Sequence, residues 1–125
     1  MPFAFQVSRF ARRVCMRAEG AVNLRTSLEA GYRLARDTRV GDDFHVLVDM
    51  RGSNWKLEVE EAMDLATAVA QIPRHVGRVA LLVHEAALPL ARIFCELAGA
   101  HGFEVEPFVK TEDAHRWLAI GPQVH

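Results

Sequence analysis

Two cysteines, a single tyrosine and no apolar run long enough to span a bilayer narrow the field before any motif is considered. Cys15 and Cys95 lie 80 positions apart with no motif around either. That reads as two reduced, buried thiols in a reducing compartment, and it excludes a disulfide scaffold. A spanning helix needs about 20 consecutive apolar residues, so no integral membrane association is expected. The opening Met-Pro-Phe-Ala-Phe-Gln-Val lacks both a basic region ahead of an apolar core and a small-residue cleavage site, and a cytoplasmic location is the expectation. Excess charge of one sign is missing too. Lys and Arg total 15 against 16 Asp and Glu, a formal charge of -1, which gives no general electrostatic reason to hold nucleic acid or an anionic membrane. Arg9, Arg12, Arg13 and Arg17 crowd the first strands, and Arg33, Arg36 and Arg39 the end of the first helix. Both groups read as solvated faces, the second with favourable charge at a helix C-terminus.

What is present describes a globular chain. Half of it is hydrophobic and a quarter charged, the balance of a packed domain and not of a disordered segment. With no repeat, linker or low-complexity stretch, residues 1–125 are expected to form one domain, burying about two-thirds of the unfolded surface. Residues 3–8 and 11–18 alternate apolar and polar side chains, with a turn over Arg9–Ala11, so an N-terminal strand pair is expected, ended by Gly20. Asn23 suits the cap of a helix to about Thr38, with Leu24, Leu28, Gly31, Tyr32, Leu34 and Ala35 on one face. Gly41-Asp42-Asp43 is a turn. Phe44–Met50 is an apolar strand, and a helix follows over about Lys56–Ile72, with Val59, Met63, Leu65, Ala66, Val69 and Ile72 as its stripe and Pro73 as its stop. Arg78–Val83 is too apolar to alternate, as expected of a strand covered on both faces. Pro89 suits the first turn of a third helix that ends at His101-Gly102. Phe103–Val109 is a last strand in which Pro107 points to an edge or a bulge, and Thr111 opens a short helix through Trp117-Leu118.

Strands separated by such helices predict an α/β fold. The expectation is a four- or five-stranded mixed sheet with about four helices, Phe44–Met50 and Arg78–Val83 adjacent and parallel in the middle, and the N-terminal pair antiparallel at one side. Within that frame the most informative stretch is the end of the central strand, Val48-Asp49-Met50-Arg51-Gly52-Ser53-Asn54-Trp55. An acid, a glycine and a hydroxyl between a buried strand and a helix N-terminus stand where such sheets place their working groups. Asp49, Arg51, Gly52, Ser53 and Trp55, with His84 at the end of the next central strand, are therefore the candidate binding or switch residues. Trp55 is expected to lie exposed beside the turn as an apolar contact. The same turn has a purely structural reading, in which Ser53 or Asn54 caps the helix and Asp49 bonds the turn.

Other chemistry is thinly represented. No nucleophile–base pair or complete phosphate loop is found, and no catalytic residue or cofactor is assigned. Six histidines, at 45, 75, 84, 101, 115 and 125, include none four residues from another on an expected helix, and no Cys–His cluster exists, so no metal is expected. His84-Glu85 converges with Asp49 and Arg51 at the strand ends and is the one pair suited to proton transfer. Trp117 reads as a lid on the core.

Element order together with Asp49-Met50-Arg51-Gly52, Val79-Ala80-Leu81-Leu82-Val83, Val105-Glu106-Pro107-Phe108 and Ala114-His115-Arg116-Trp117-Leu118 resembles the SpoIIAA-like proteins, relatives of the STAS domain, from about Val14 to Leu118. The resemblance implies a small sheet with helices on it, no catalysis, and a role in bacterial regulation or ligand binding. In STAS antagonists of anti-sigma factors a Ser or Thr at the start of the helix after the central strand is phosphorylated by the partner kinase, and Ser53 is nearest to that position. Those proteins carry an Asp-Ser-Ser-Gly type turn, from which this chain departs. Were Ser53 modified, the phosphate would meet a positive helix end and Arg51, or repel Asp49. The favoured reading is a regulatory or protein-interaction module with a protein partner. A homodimer is a further expectation, through the small residues Ala62, Ala66 and Ala70 taken to face outward. The alternatives are a carrier for a small apolar ligand or lipid, and a small enzyme using Asp49, Arg51 and His84.

Overall fold

The computed structural model describes residues 2–72 and 76–120. Strands β1 (Phe3–Ser8) and β2 (Arg13–Val22) form a hairpin, followed by α1 (Leu24–Arg36), β3 (His45–Trp55) and α2 (Val59–Ala70). Then come β4 (Val79–Leu82), a 3-10 turn at Glu85–Ala87, α3 (Leu88–Ala100), β5 (Val105–Phe108) and α4 (Thr111–Ile120). The sheet order is β1-β2-β3-β4-β5, with β1 antiparallel to β2 and every later pair parallel. The two apolar segments are adjacent as expected, Val46–Asp49 pairing with Val79–Leu82. Pro107 lies on β5, an edge strand, where its missing N–H is tolerated.

The sheet is covered unequally. On one face Val14, Met16, Ala18, Val46, Met50 and Leu81 join Ala30 of α1, Ala66 of α2 and Ala91, Cys95 and Ala98 of α3 in the main core. On the other, α4 alone packs Ala114 and Leu118 on Leu47, Ala80 and Leu82, with Trp117 tilted against Phe108 at 5.6 Å. Trp117 is thus the lid expected of it. Local signals mark the helix ends. The Asn23 side chain accepts from the Thr26 N–H at 2.9 Å while the Thr26 hydroxyl accepts from the Asn23 N–H at 3.0 Å, a reciprocal capping box. Asn23→Ala is expected to lower stability by about 1 kcal/mol, read as a shift of the urea midpoint at constant slope. Gly102, at φ +86°, ends α3 in the left-handed region. At the end of α1, Arg33 donates to the Phe3 carbonyl at 3.3 Å and lies over the Phe5 ring.

Several expectations are corrected. β2 does not stop at Gly20. That residue takes φ +76° and the strand continues to Val22, beyond a bulge between Arg17 and Glu19. α2 begins at Val59, not Lys56, and its inward face is Ala62, Leu65 and Ala66, whereas Val59 and Met63 are 52% and 48% exposed. The alanines let α2 approach its neighbours α3 and α1 closely, which a valine or methionine stripe would not. Ala62 and Ala66 are therefore buried and Ala70 half-buried, so the outward alanine surface expected to meet a second copy does not exist. Tyr32 of α1 is likewise exposed. Pro73, His75 and His125 lie outside the described residues.

Candidate functional site

The stretch Asp49 to Trp55 is not a strand-to-helix turn. It is the second half of β3. β2 runs beside it with Glu19, Gly20, Ala21 and Val22 opposite Gly52, Ser53, Asn54 and Trp55, and this pairing holds a turn-like sequence extended. α2 starts beyond Glu58, whose side chain and that of Glu61 form its capping box. Ser53 therefore neither caps a helix nor sits at a positive helix end, the helix dipole expected beside it being absent. The hydroxyl instead donates to the Met50 carbonyl at 2.6 Å. Gly52 is required for close approach and not for a positive φ, because a Cβ there would stand 3.1 Å from the Ala18 carbonyl oxygen. Gly52→Val is expected to push the two strands apart and lower stability by about 1–3 kcal/mol, measured by urea denaturation.

Asp49 is the one buried charged residue among those described. Its carboxylate accepts from Arg51 Nε and Nη2, each at 3.0 Å, and from the Arg51 backbone N–H at 3.0 Å. Burial opposes the charge. The Arg51 side-chain bonds, its backbone N–H and the positive charges of Arg51 and Arg17 outweigh that, holding the carboxyl below its ordinary range. Arg17 is the register partner of Asp49 on β2, and Glu112 of α4 adds its field at Arg51. Cys15 lies nearby, its pKa raised mainly by burial, with Asp49 adding to the effect and Arg17 and Arg13 opposing it. The Cys95 thiol is pushed up to about 12 by burial and by Glu106, which leaves it protonated and inert.

His84 joins this group. Its Nε2 lies 2.6 Å from the Arg51 carbonyl oxygen, which can only accept, so Nε2 carries the hydrogen there. The contact fastens the end of β4 to the extension of β3. Asp49, Arg51 and His84 thus meet at the strand ends as expected. Trp55 does not join them. Half-buried, it packs edge-on against Phe94 of α3 at 6.2 Å, on the helix-covered face, and is not the exposed contact expected of it. Its indole Nε1 is buried with no hydrogen-bond partner among the described residues.

Residue reading missed the space beside Trp55. Between the sheet and α1, α2 and α3 lies a cavity of about 140 Å³, bounded by Met16, Val46, Met50, Trp55, Leu65 and Phe94 among others. Its signal was available in the small residues Ala30, Gly31 and Ala35 along the sheet-facing side of α1, which leave space where larger side chains would fill it. Also missed was the pairing of Arg13 Nη1 with His115 Nδ1 at 3.1 Å, which ties α4 to β2. Among the described residues no cluster of His, Cys, Asp and Glu could hold a metal ion, and no helix is long and apolar enough to cross a membrane.

No family model and no curated protein matches the chain. Among solved structures it is similar to an uncharacterised protein of the DUF3478 family from Shewanella loihica PV-4, described as having a SpoIIAA-like fold. The TM-score is 0.61 and the identity 18%, over 93% of this chain and 91% of that one. At that identity the likeness is one of fold, and the fold of this chain is SpoIIAA-like.

Proposed function

We propose that this chain is a non-enzymatic, STAS-like regulatory module whose partner surface is the projecting end of the β2–β3 ribbon. One observation carries the reading. β3 runs on to Trp55 after its pairing with β4 ends at Asp49, so beyond that point no strand among the described residues lies on its far edge; the Met50 carbonyl and both Arg51 main-chain groups are taken by Ser53, Asp49 and His84, which leaves the edge from Gly52 onward, where Gly52 and Asn54 are exposed. An open strand edge offers main-chain donors and acceptors to an extended segment of another protein. Asp49, Ser53 and His84 hold the start of that edge in shape by bonding the main-chain groups of Met50 and Arg51. Their own contacts argue against the enzymatic alternative, since Asp49 is engaged by Arg51 and the His84 Nε2 lone pair is replaced by a hydrogen bonded to a carbonyl. Protonated, unpaired Cys15 and Cys95 suit a reducing, cytoplasmic setting.

Native mass spectrometry of the protein purified from its own host tests this. A second protein bound in fixed stoichiometry is expected, and the 14.0 kDa chain alone would overturn the reading. Sedimentation at high micromolar concentration separates a homodimer, which would make the partner a second copy, from a heterologous complex.

A further inference from the structure

The two outer strands of the sheet differ in how their open edges are guarded. β5 carries the usual guards. It has only four residues, Glu106 on it is exposed, and Pro107 interrupts it. The Val79 and Val83 N–H groups donate to the Glu104 and Phe108 carbonyls, so alternation turns Pro107 outward, where its missing N–H removes an edge donor. β1 has none of these guards. It is six residues long, Phe-Ala-Phe-Gln-Val-Ser, with no charge, proline or glycine, and it pairs with β2 without a bulge. The Glu19 N–H donates to the Pro2 carbonyl at 2.9 Å, which fixes the alternation. Ala4, Gln6 and Ser8 bond β2, and Phe3, Phe5 and Val7 turn their main-chain groups outward. Arg33 donates to the Phe3 carbonyl at 3.3 Å and guards that end alone. The N–H and C=O of Phe5 and Val7 are left without a partner among the described residues.

We infer that β1 is a dimer edge, which a second copy of this chain joins in antiparallel register to run two five-stranded sheets into one. A strand that pairs with its own copy must be self-complementary about a two-fold axis. With Phe5 on that axis, Phe5 faces its copy, Phe3 faces Val7 and Ala4 faces Gln6, so no charged side chain of β1 opposes another. The outward groups of Phe5 and Val7 then find ladder partners, and the second lone pair of the Phe3 carbonyl serves the ladder beside Arg33. A strand without charge has nothing that would select an acidic or a basic partner instead. The contact lies at the opposite side of the sheet from the free edge of β3, so the proposed partner surface stays open in the dimer and the inference stands independently of it.

One strand edge is a small contact, below the ~1,200 Å² at which standard interfaces begin, so the dimer is expected to be reversible. Sedimentation equilibrium of the purified chain between about 1 and 300 μM should show the mass rising from 14.0 kDa toward twice that value. Val7→Pro puts on β1 the guard that β5 already has, at a main-chain N–H that β2 does not use, and should weaken the dimer at least tenfold. Gln6→Lys, at an exposed position, brings like charges diagonally across the axis and should do the same without touching the core. Mixing the Gln6→Lys protein with Ala4→Glu protein sets opposite charges face to face in the register above and should restore association. A mass that stays at 14.0 kDa throughout overturns the inference, as does an undiminished dimer in either folded variant. A dimer lost with Asn54→Lys and kept with Gln6→Lys is formed through the end of β3 and overturns it too, and a mixture no tighter than its components overturns the register.

Discussion

Replacing Leu82 with aspartate is expected to leave no soluble folded protein. Leu82 is 1% exposed, at the C-terminal end of β4, and packs with Leu47 and Ala80 beneath Ala114 and Leu118 of α4. A carboxylate there would be dry and unpaired, costing several kcal/mol. Even protonated, it would leave a void and two unbonded oxygens among aliphatic side chains. Against a total stability of about 5–15 kcal/mol for a domain, that loss removes most of the folded population. Leu82→Met, which nearly conserves volume, should cost less than about 1.5 kcal/mol. The check is the soluble fraction on expression with near-ultraviolet circular dichroism, and a cooperative melt from soluble Leu82→Asp protein would contradict the packing described.

The second large effect belongs to Asp49, and it depends on pH. Its pKa is depressed in the folded protein, so its contribution is fully present above the unfolded value of about 3.9 and is lost as pH falls through the lower folded value. Asp49→Ala removes the acceptor for the Arg51 backbone N–H and for two guanidinium bonds. Because the Arg51 side chain is 39% exposed and can turn to solvent, the expected loss at neutral pH is about 1–3 kcal/mol and not the full cost of a stranded buried charge. Asp49→Asn should lose part of that at pH 7, and its gap from the wild type should narrow as pH falls below the unfolded value toward the lower folded one. Urea denaturation at pH 7 and pH 3 makes the comparison. A gap between wild type and Asp49→Asn that stays constant across that range would show that the carboxylate's charge contributes nothing.

How much of this was legible in the sequence depended on the range of the interactions concerned. Asn23, Pro89 and Gly102 act within a few residues, and each marks the helix boundary expected of it. The apolar runs Val46–Val48 and Val79–Val83 show no alternating polar face, and they lie on adjacent inner strands of the sheet. The end of β3 was illegible for the opposite reason. Arg51-Gly52-Ser53-Asn54 has the chemistry of a turn, and what holds it straight is pairing with Glu19–Val22, some thirty residues earlier in the chain. That one long-range contact moves Ser53 off the helix end and places Trp55 over Phe94. On α2 the inward positions Leu65 and Ala66 were legible. Val59 and Met63 outrank Ala62 in hydrophobicity, yet close helix approach buries the alanine and leaves the larger two exposed. At the site itself, Asp49, Arg51 and His84 converge as the strand-end rule suggests, though through an internal salt bridge and a carbonyl contact that no spacing encodes.

The claim that the open ribbon edge is where this protein meets its partner is tested most directly at Asn54, exposed on that edge and engaged in none of the side-chain contacts described above. A lysine there places a mobile charge across the edge, the device by which exposed strands avoid pairing, and as a surface change it should shift stability by no more than about 0.5 kcal/mol. Recovery of the copurifying protein is measured for wild type, for Asn54→Lys, and for Arg92→Glu on the exposed side of α3, with thermal melts of all three. The account predicts at least a tenfold loss with Asn54→Lys, full recovery with Arg92→Glu, and unchanged melting for both. Full recovery with Asn54→Lys would contradict it.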